Sequence, residues 1–483
     1  MKMWSGRFRQ PLDAEFERWQ RSFGFDRGLL QYELAASAAH ARALKNAGIL
    51  SADELIGIVQ GLDQIGERAA ATTPAFLDDD EAEDVHHFVE KQLVALIGDI
   101  GYKLHSGRSR NEQIATDLRL YVRAAIDQLR YDLGEVCTVF VDRAEQGGDA
   151  AMPAYTHLQK AEPVLVAHWL LAYVEMFLRD AERLADCRKR MNLCPLGSGA
   201  VAGATLPLDR AFMADNLGFE GPTANSIDAT SDRDFGLEFV NALAILAMHL
   251  SRWAEEMILF SSQEFGFLGL PEPYSTGSSA MPQKKNPDLL ELVRGKTGKI
   301  LGNATSLAVT MKGLPLAYNK DLQETQQPVF DSADALLQTL PLVTEWMRAV
   351  EFHFDRMLQS AQSGFMNAWA AATYLVQRGV PSRLAHEKIG KAVQMCLERN
   401  CELQDLPLAD LQSLSTAFDN DFYDALKLES VLAIHDVPGG TAPTRVREAI
   451  NAARNRTAAL REEVHAPEKH APESHARETH AHA

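Results

Sequence analysis

An all-α protein built around a bundle of long helices is what this sequence predicts. Three observations lead there. Proline is missing from residue 75 to residue 152 and again from residue 223 to residue 270, so two long segments are open to unbroken helix. Apolar residues recur within each gap at helical spacing. No run of short, alternating β-branched segments appears, as strands would require.

The first stripe is Ile114, Leu118, Val122, Ile126, Leu129, Leu133, Val136 and Phe140, in steps of four and three from a start near Asn111. The second is Phe235, Phe239, Leu243, Leu246, Leu250, Trp253, Met257 and Phe260. Its period is close to that of a coiled coil. Ser231 and Asp232 offer an N-cap. A helix from about Asp232 to Phe260 spans roughly 40 Å. Such helices exceed one small domain and point to a bundle, one that subunits can share. Both stripes read as core and carry no chemistry. Loops are expected at Pro195–Pro207, Gly218–Ser226, Leu270–Pro287 and Lys312–Pro328. Gly379-Val380-Pro381 and Gly439-Gly440 mark turns in a smaller C-terminal region.

The chain has 483 residues, enough for a large core and several domains. A net charge of −18 argues against a nucleic-acid partner, because phosphate binding wants a basic face. It leaves room for an anionic substrate in a local cationic pocket. Cys137, Cys187, Cys194, Cys396 and Cys401 are odd in number and lack metal-ligand spacing, which suits free thiols in a reducing compartment. Met1 to Gln10 has no apolar run after its basic residues, unlike a signal peptide. No uninterrupted apolar stretch reaches membrane-spanning length. A cytoplasmic location is expected. After Val464 the chain turns to His465, His470 and His475, each opening a similar pentapeptide, then His480 and His482. No large apolar residue follows Val464, so this tail cannot bury a core and reads as disordered. Weak metal binding is its alternative reading.

Five polar clusters carry the chemistry. Gly277-Ser278-Ser279-Ala280-Met281-Pro282-Gln283-Lys284-Lys285-Asn286-Pro287 cannot form a continuous helix. Folded back, it can converge Ser278, Ser279, Lys284 and Asn286 on one anion. His105-Ser106-Gly107-Arg108-Ser109-Arg110-Asn111-Glu112-Gln113 precedes the first long helix. Free N–H groups at the helix start and two guanidinium groups make a carboxylate cradle. Thr156-His157 stands before a helix expected after Pro163, and His157 is a candidate acid or base. Tyr318-Asn319-Lys320-Asp321-Leu322-Gln323-Glu324 has the hydrogen-bonding content of a binding wall. Asn225 to Asp234 reads as helix capping. No Gly-rich phosphate loop and no metal-ligand cluster appears in the body of the chain, so no cofactor and no metal are expected.

In order and content these runs resemble the argininosuccinate lyase family of the fumarase/aspartase superfamily. The likeness extends from Trp4-Ser5-Gly6-Arg7-Phe8 to Gly439-Gly440-Thr441-Ala442-Pro443. It implies an all-α, three-domain fumarase/aspartase-like fold, divided at 1–108, 109–360 and 361–463, with the tail at 464–483. It also implies a homotetramer around the long-helix bundle, with each site assembled from three subunits. The implied reaction is reversible elimination of argininosuccinate to arginine and fumarate through a carbanion-like intermediate.

By the same resemblance Ser278 is the base, and Lys284 and Asn286 hold the carboxylate whose charge grows. His157 is linked to Glu291. Ser109, Arg110, Asn111, Thr156, Tyr318 and Gln323 match substrate-binding positions, and Ser22 and His86 match less specific ones. The chain departs from the family pattern at Ser106 and Glu112, where Thr and Asp are usual. It departs again at Thr325-Gln326, where the family has Asp-Lys and so a cation toward the substrate, and at Trp369-Ala370, often Thr-Asp. A sister lyase such as adenylosuccinate lyase or fumarase is disfavoured by Gln283-Lys284-Lys285 and by Tyr318 to Asp321. A non-enzymatic relative of the δ-crystallins is disfavoured by retention of Ser278, His157, Lys284 and Glu291.

Overall fold

In the computed structural model the chain is described over residues 10–71, 74–79 and 81–465. The Trp4–Phe8 run and the tail beyond His465 lie outside these residues. The elements that position the site are, in order, α1 (Leu30–Asn46), α2 (Ala52–Ala71), α3 (Val85–Ile97), α4 (Arg110–Gly147), β1 (Ala151–Thr156), β2 (Gln159–Leu165), α5 (Val166–Met191) and α6 (Asp234–Ser261). There follow β3 (Thr276–Gly277), β4 (Lys285–Asn286), α7 (Asp288–Met311), α8 (Gln326–Ala349), α9 (Ala368–Gln377), α10 (Ser382–Arg399) and α11 (Pro443–His465). The fold is all-α. Among the described residues the strands form only three two-stranded ladders.

The two long helices are where the spacing puts them. The 38 residues of α4 extend about 57 Å. Every residue of both apolar stripes is buried. Each such side chain stabilises the fold by roughly 1.5–3 kcal/mol relative to an exposed one. α4 packs on α5, α8 and α11, while α6 packs on α5, α7 and α8. Phe140, Trp253 and Trp346 link the layers, with Trp253 and Trp346 edge-on at a centroid distance of 5.3 Å.

Four points differ from or refine the expectations. Arg233, not Ser231 or Asp232, occupies the N-cap of α6, and its side chain makes no capping bond. The Asp232 carboxylate is engaged by Arg119 and still accepts the Asp234 N–H at 2.7 Å. Second, the segment around His157 is a hairpin. β1 and β2 pair from Ala151↔Leu165 to Thr156↔Gln159, and Pro163 sits opposite Pro153. Proline lacks a donor and is tolerated on such an isolated edge. Helix α5 begins at Val166, after Pro163 as expected. Third, the expected loop from Lys312 to Pro328 is cut short, because the chain turns helical at Lys320 and α8 begins at Gln326. Fourth, α6 has the length and apolarity of a membrane span, although 61% of its apolar window is buried inside the protein.

The C-terminal region has its own core, in which Leu375, Ile389, Phe418 and Phe422 are central. The expected turn at Gly439-Gly440 leads to α11. A Cβ on Gly440 would stand 2.1 Å from the His435 carbonyl oxygen and 3.0 Å from that of Val437. Backbone must move to admit it, so Gly440→Ala is expected to destabilise by roughly 2–4 kcal/mol. Gly57, inside α2, has no atom within 4 Å of an added Cβ. Gly57→Ala should melt at or above the native temperature. Equal melting temperatures for the two variants would refute the backbone clash.

Candidate active site

One pocket of about 120 Å³ gathers Ser22, His86, Arg110, Asn111, Tyr318 and Gln323. Asp26, Glu83, Asp84, Lys320 and Gln326 share its wall. The start of α4 builds one side. Ser109 caps the helix: its side chain accepts the Asn111 N–H at 3.2 Å, and its own N–H donates to Glu112 at 3.0 Å. Glu112, the residue that departs from the family pattern, is fully buried and also accepts the Gly199 N–H at 2.9 Å. Glu112 thus ties the capping box to the loop at Gly199. Asn111 donates to the Ala200 carbonyl at 3.3 Å.

Charges alternate along the wall. Arg110 Nη1 stands 3.2 Å from Glu83 and 3.1 Å from Asp84, and Lys320 Nζ is 3.6 Å from Glu83. Ser22 donates to Asp26 at 2.5 Å, and Asp26 also accepts the Val85 N–H at 3.1 Å. Burial, helped by the Asp84 charge, pushes the Asp26 carboxyl up to about 7. Burial raises the Tyr318 hydroxyl while the neighbouring Arg233 guanidinium draws it down. Gln323 donates to the Gln20 carbonyl at 3.1 Å. Gln326 is buried, and its Oε1 has no hydrogen-bond partner among the described residues. A buried amide left open at a pocket wall is a place for a ligand to bond.

Beneath this wall lies a cluster that the sequence hides. Glu33 on α1, His86 on α3 and Asp117 on α4 bring their ligand atoms within 4.8 Å of one another, all buried. No sequence spacing signals this grouping. The three residues lie far apart in sequence and meet only when α1, α3 and α4 pack. His86 Nε2 is 3.0 Å from Asp117 and 3.9 Å from Glu33, and Nδ1 is 3.7 Å from Asp84. Ser37 and Gln113 donate to Glu33 at 2.6 and 3.0 Å, and Arg108 approaches it at 3.6 Å. Burial opposes a charge on His86, but the hydrogen bond to Asp117 and the nearby charges of Asp84 and Glu33 outweigh it and raise the imidazole above its ordinary range.

The remaining sequence candidates stand apart from the pocket. His157 and Thr156 are exposed at the tip of the β1–β2 hairpin. His157 and Leu158 both adopt left-handed backbone, at φ 56° and 57°. Neither residue is glycine, so holding this tip costs roughly 1–2 kcal/mol per residue. The Ser278 loop folds back through a two-residue ladder, Thr276↔Asn286 and Gly277↔Lys285. Ser278 Oγ accepts the N–H groups of Ala280 at 3.3 Å and Met281 at 3.0 Å. Asp288 pins the ladder by accepting the Thr276 hydroxyl at 2.6 Å. Asn286 is half-buried, while Lys284 and Glu291 are exposed. None of these loop or hairpin residues lines the pocket within one chain. The sequence reading missed Asp26, Glu33 and Asp117. Glu83 and Asp84 are not singled out by the sequence reading either.

Residues 6–302 match a family described as lyase, and residues 365–433 match the argininosuccinate lyase C-terminal family. The argininosuccinate lyase of Koribacter versatilis is 60% identical over 465 residues, covering 96% of this chain and 99% of that protein. The chain belongs to the argininosuccinate lyase family. A solved EDDS lyase variant with bound fumarate has 26% identity and a TM-score of 0.81, covering 94% of this chain and 92% of its own. A class II fumarase from Schistosoma mansoni has 16% identity, a TM-score of 0.71 and coverages of 83% and 90%, and shares the fold. As a member of this family the chain is a lyase of the fumarase/aspartase superfamily.

Proposed function

We propose that this chain catalyses the reversible cleavage of argininosuccinate to arginine and fumarate, in arginine biosynthesis in the cytoplasm. The observation that carries this is 60% identity to a named argininosuccinate lyase across 96% of the chain. The pocket supports it, because a substrate rich in carboxylates that also bears a guanidinium suits a wall where Arg110 and Lys320 alternate with Glu83 and Asp84. The reaction removes a proton next to a carboxylate and expels the guanidinium nitrogen, so it needs a base, an acid and donors for the growing charge.

In this reading Ser278 is the base. The two loop N–H groups that already point at its oxygen would stabilise an alkoxide. Lys284 and Asn286 hold the activating carboxylate, and His157, oriented by Glu291, carries the second proton. These groups stand on separate elements, away from the pocket. A homotetramer that places the hairpin and loop of neighbouring subunits over the pocket would complete the site. The division into residues 1–108, 109–360 and 361–463 belongs to the same reading. Incubating the purified protein with argininosuccinate and following fumarate absorbance tests it, and no fumarate from folded protein would end it.

Gln326 offers a finer test. Its side chain lines the pocket and lacks the charge of the usual lysine. A charge-assisted contact exceeds a neutral one by roughly 1 kcal/mol, so Gln326→Lys should lower KM severalfold and change kcat less. An unchanged or higher KM at low salt would show that Lys320 or Arg110 already fills that need.

A further inference from the structure

Helix α10 ends in a thiol pair. After Arg399, Asn400 takes left-handed backbone at φ 52° and ψ 54°. The Cys401 N–H then donates to the Cys396 carbonyl at 3.0 Å, and the Asn400 N–H to that of Leu397 at 3.4 Å. These are the two bonds of a Schellman motif, whose flanking positions bring their side chains together. Here both of those positions are cysteine, and their thiols are hydrogen-bonded to each other. Cys396 is fully buried in the C-terminal core, and Cys401 is half-buried at its edge. Both are free thiols. The next residue ties this helix end to the entry of the C-terminal region. The Glu402 carboxylate accepts the N–H groups of Gly364 at 3.0 Å and Phe365 at 3.3 Å, and its own N–H donates to Asp405 at 3.0 Å.

We propose that Cys396 and Cys401 form a redox modification site for small disulfides, in which Cys401 reacts first and Cys396 resolves the adduct into an internal disulfide. The Cys401 thiolate attacks one sulfur of a small disulfide such as oxidised glutathione. The reagent's S–S bond breaks, a mixed disulfide forms on Cys401, and one small thiolate leaves. Cys396 then gives up its proton and attacks the Cys401 sulfur. The mixed S–S bond breaks, the internal one forms, and the second small thiolate leaves. Two electrons pass from the cysteine pair to the reagent, whose two thiolates take up the two thiol protons. An excess of small thiol runs the exchange backwards. The compact internal bond preserves the Glu402 tie, which a bulky group left on Cys401 would crowd.

Backbone geometry allows the bridge. A disulfide needs Cα atoms within about 7 Å of each other, and the bond from the Cys401 N–H to the Cys396 carbonyl holds the pair inside roughly that distance. Access and acidity set the order of the steps. Burial, the bond to Cys401 and the charges of Glu402 and Asp405 push the Cys396 thiol up to about 12, so it is a poor first nucleophile. Its own step is intramolecular, and proximity offsets its small thiolate fraction. Cys137, Cys187 and Cys194 are fully buried outside the C-terminal core and do not compete. The site lies away from the pocket and does not rest on the lyase reading.

Arg399 lies between the two cysteines, so trypsin leaves them on separate peptides joined only by the disulfide. The folded full-length chain is treated with oxidised glutathione at about pH 8, its remaining thiols are alkylated, and the unreduced digest is read by mass. The Cys396 peptide should be found linked to the Cys401 peptide, and the link should vanish after treatment with excess dithiothreitol. Cys396→Ser should stop at a stable glutathione adduct on Cys401. Cys401→Ser should take up roughly tenfold less glutathione, because the buried thiol must then react first. Circular dichroism shows whether each chain is folded. The adduct on Cys396→Ser should melt several degrees below the reduced form of that variant, whereas the oxidised native chain should not melt below its reduced form. Two alkylated thiols in the treated native chain, or a glutathione adduct that persists on its Cys401, overturn the proposal. So does a linked pair that appears only when the chain is oxidised in denaturant. An adduct that leaves the melting of Cys396→Ser unchanged overturns the protection of the Glu402 tie.

Discussion

Ser278→Ala is expected to lower kcat by roughly 10²–10⁴-fold, with the fold intact. Among the described residues the hydroxyl receives hydrogen bonds only from its own loop, at Ala280 and Met281. The ladder of Thr276 with Asn286 and the Asp288 anchor do not involve it, so melting should scarcely move. A serine is a weak base until its alkoxide is stabilised, and two N–H donors aimed at one oxygen are a way to do that. The competing account makes Ser278 a cap for the short turn that follows it. Capping bonds of that kind are worth roughly 1 kcal/mol and leave chemistry alone. The two accounts therefore separate on kcat at constant substrate binding. Near-normal turnover in folded Ser278→Ala would remove the serine from the mechanism.

The second large effect is recovery of activity in mixed assemblies. His157→Ala and Ser278→Ala chains should each be inactive. Unfolded together in equal amounts and refolded, they should regain about a quarter of native activity, because a site that draws these two residues from different chains receives both intact ones by chance one time in four. The expectation follows from the separation within one chain: the His157 hairpin tip and the Ser278 loop are not on the wall that holds Arg110, Asn111 and Tyr318. Their exposure suits residues that complete a neighbour's site. Mixed tetramers verified by mass that show no recovery would mean one subunit carries the whole site.

Much of this protein was legible in its sequence because the signals are local. A period of four and three over some thirty residues has one physical solution, a helix with one buried face, and all sixteen stripe residues are buried. Ser109 with Glu112 is a capping box that any chain would form at a helix start. The Ser278 loop was recognisable because no packed helix tolerates its prolines. The His157 hairpin was not, since its strands are short, isolated and carry prolines.

What the sequence determined by itself was thus the helix class, the start of the first long helix and the family's reactive residue types. The tertiary structure decided which of those residues meet. Packing of α1, α3 and α4 put Glu33, His86 and Asp117 in contact across gaps of 53 and 31 positions. It set Asp84 between His86 and Arg110 and left the Gln326 amide open in the pocket wall. The physical reason is range. Helix and cap preferences act over a few residues, while burial and charge pairing depend on distances in space that only the packed chain defines.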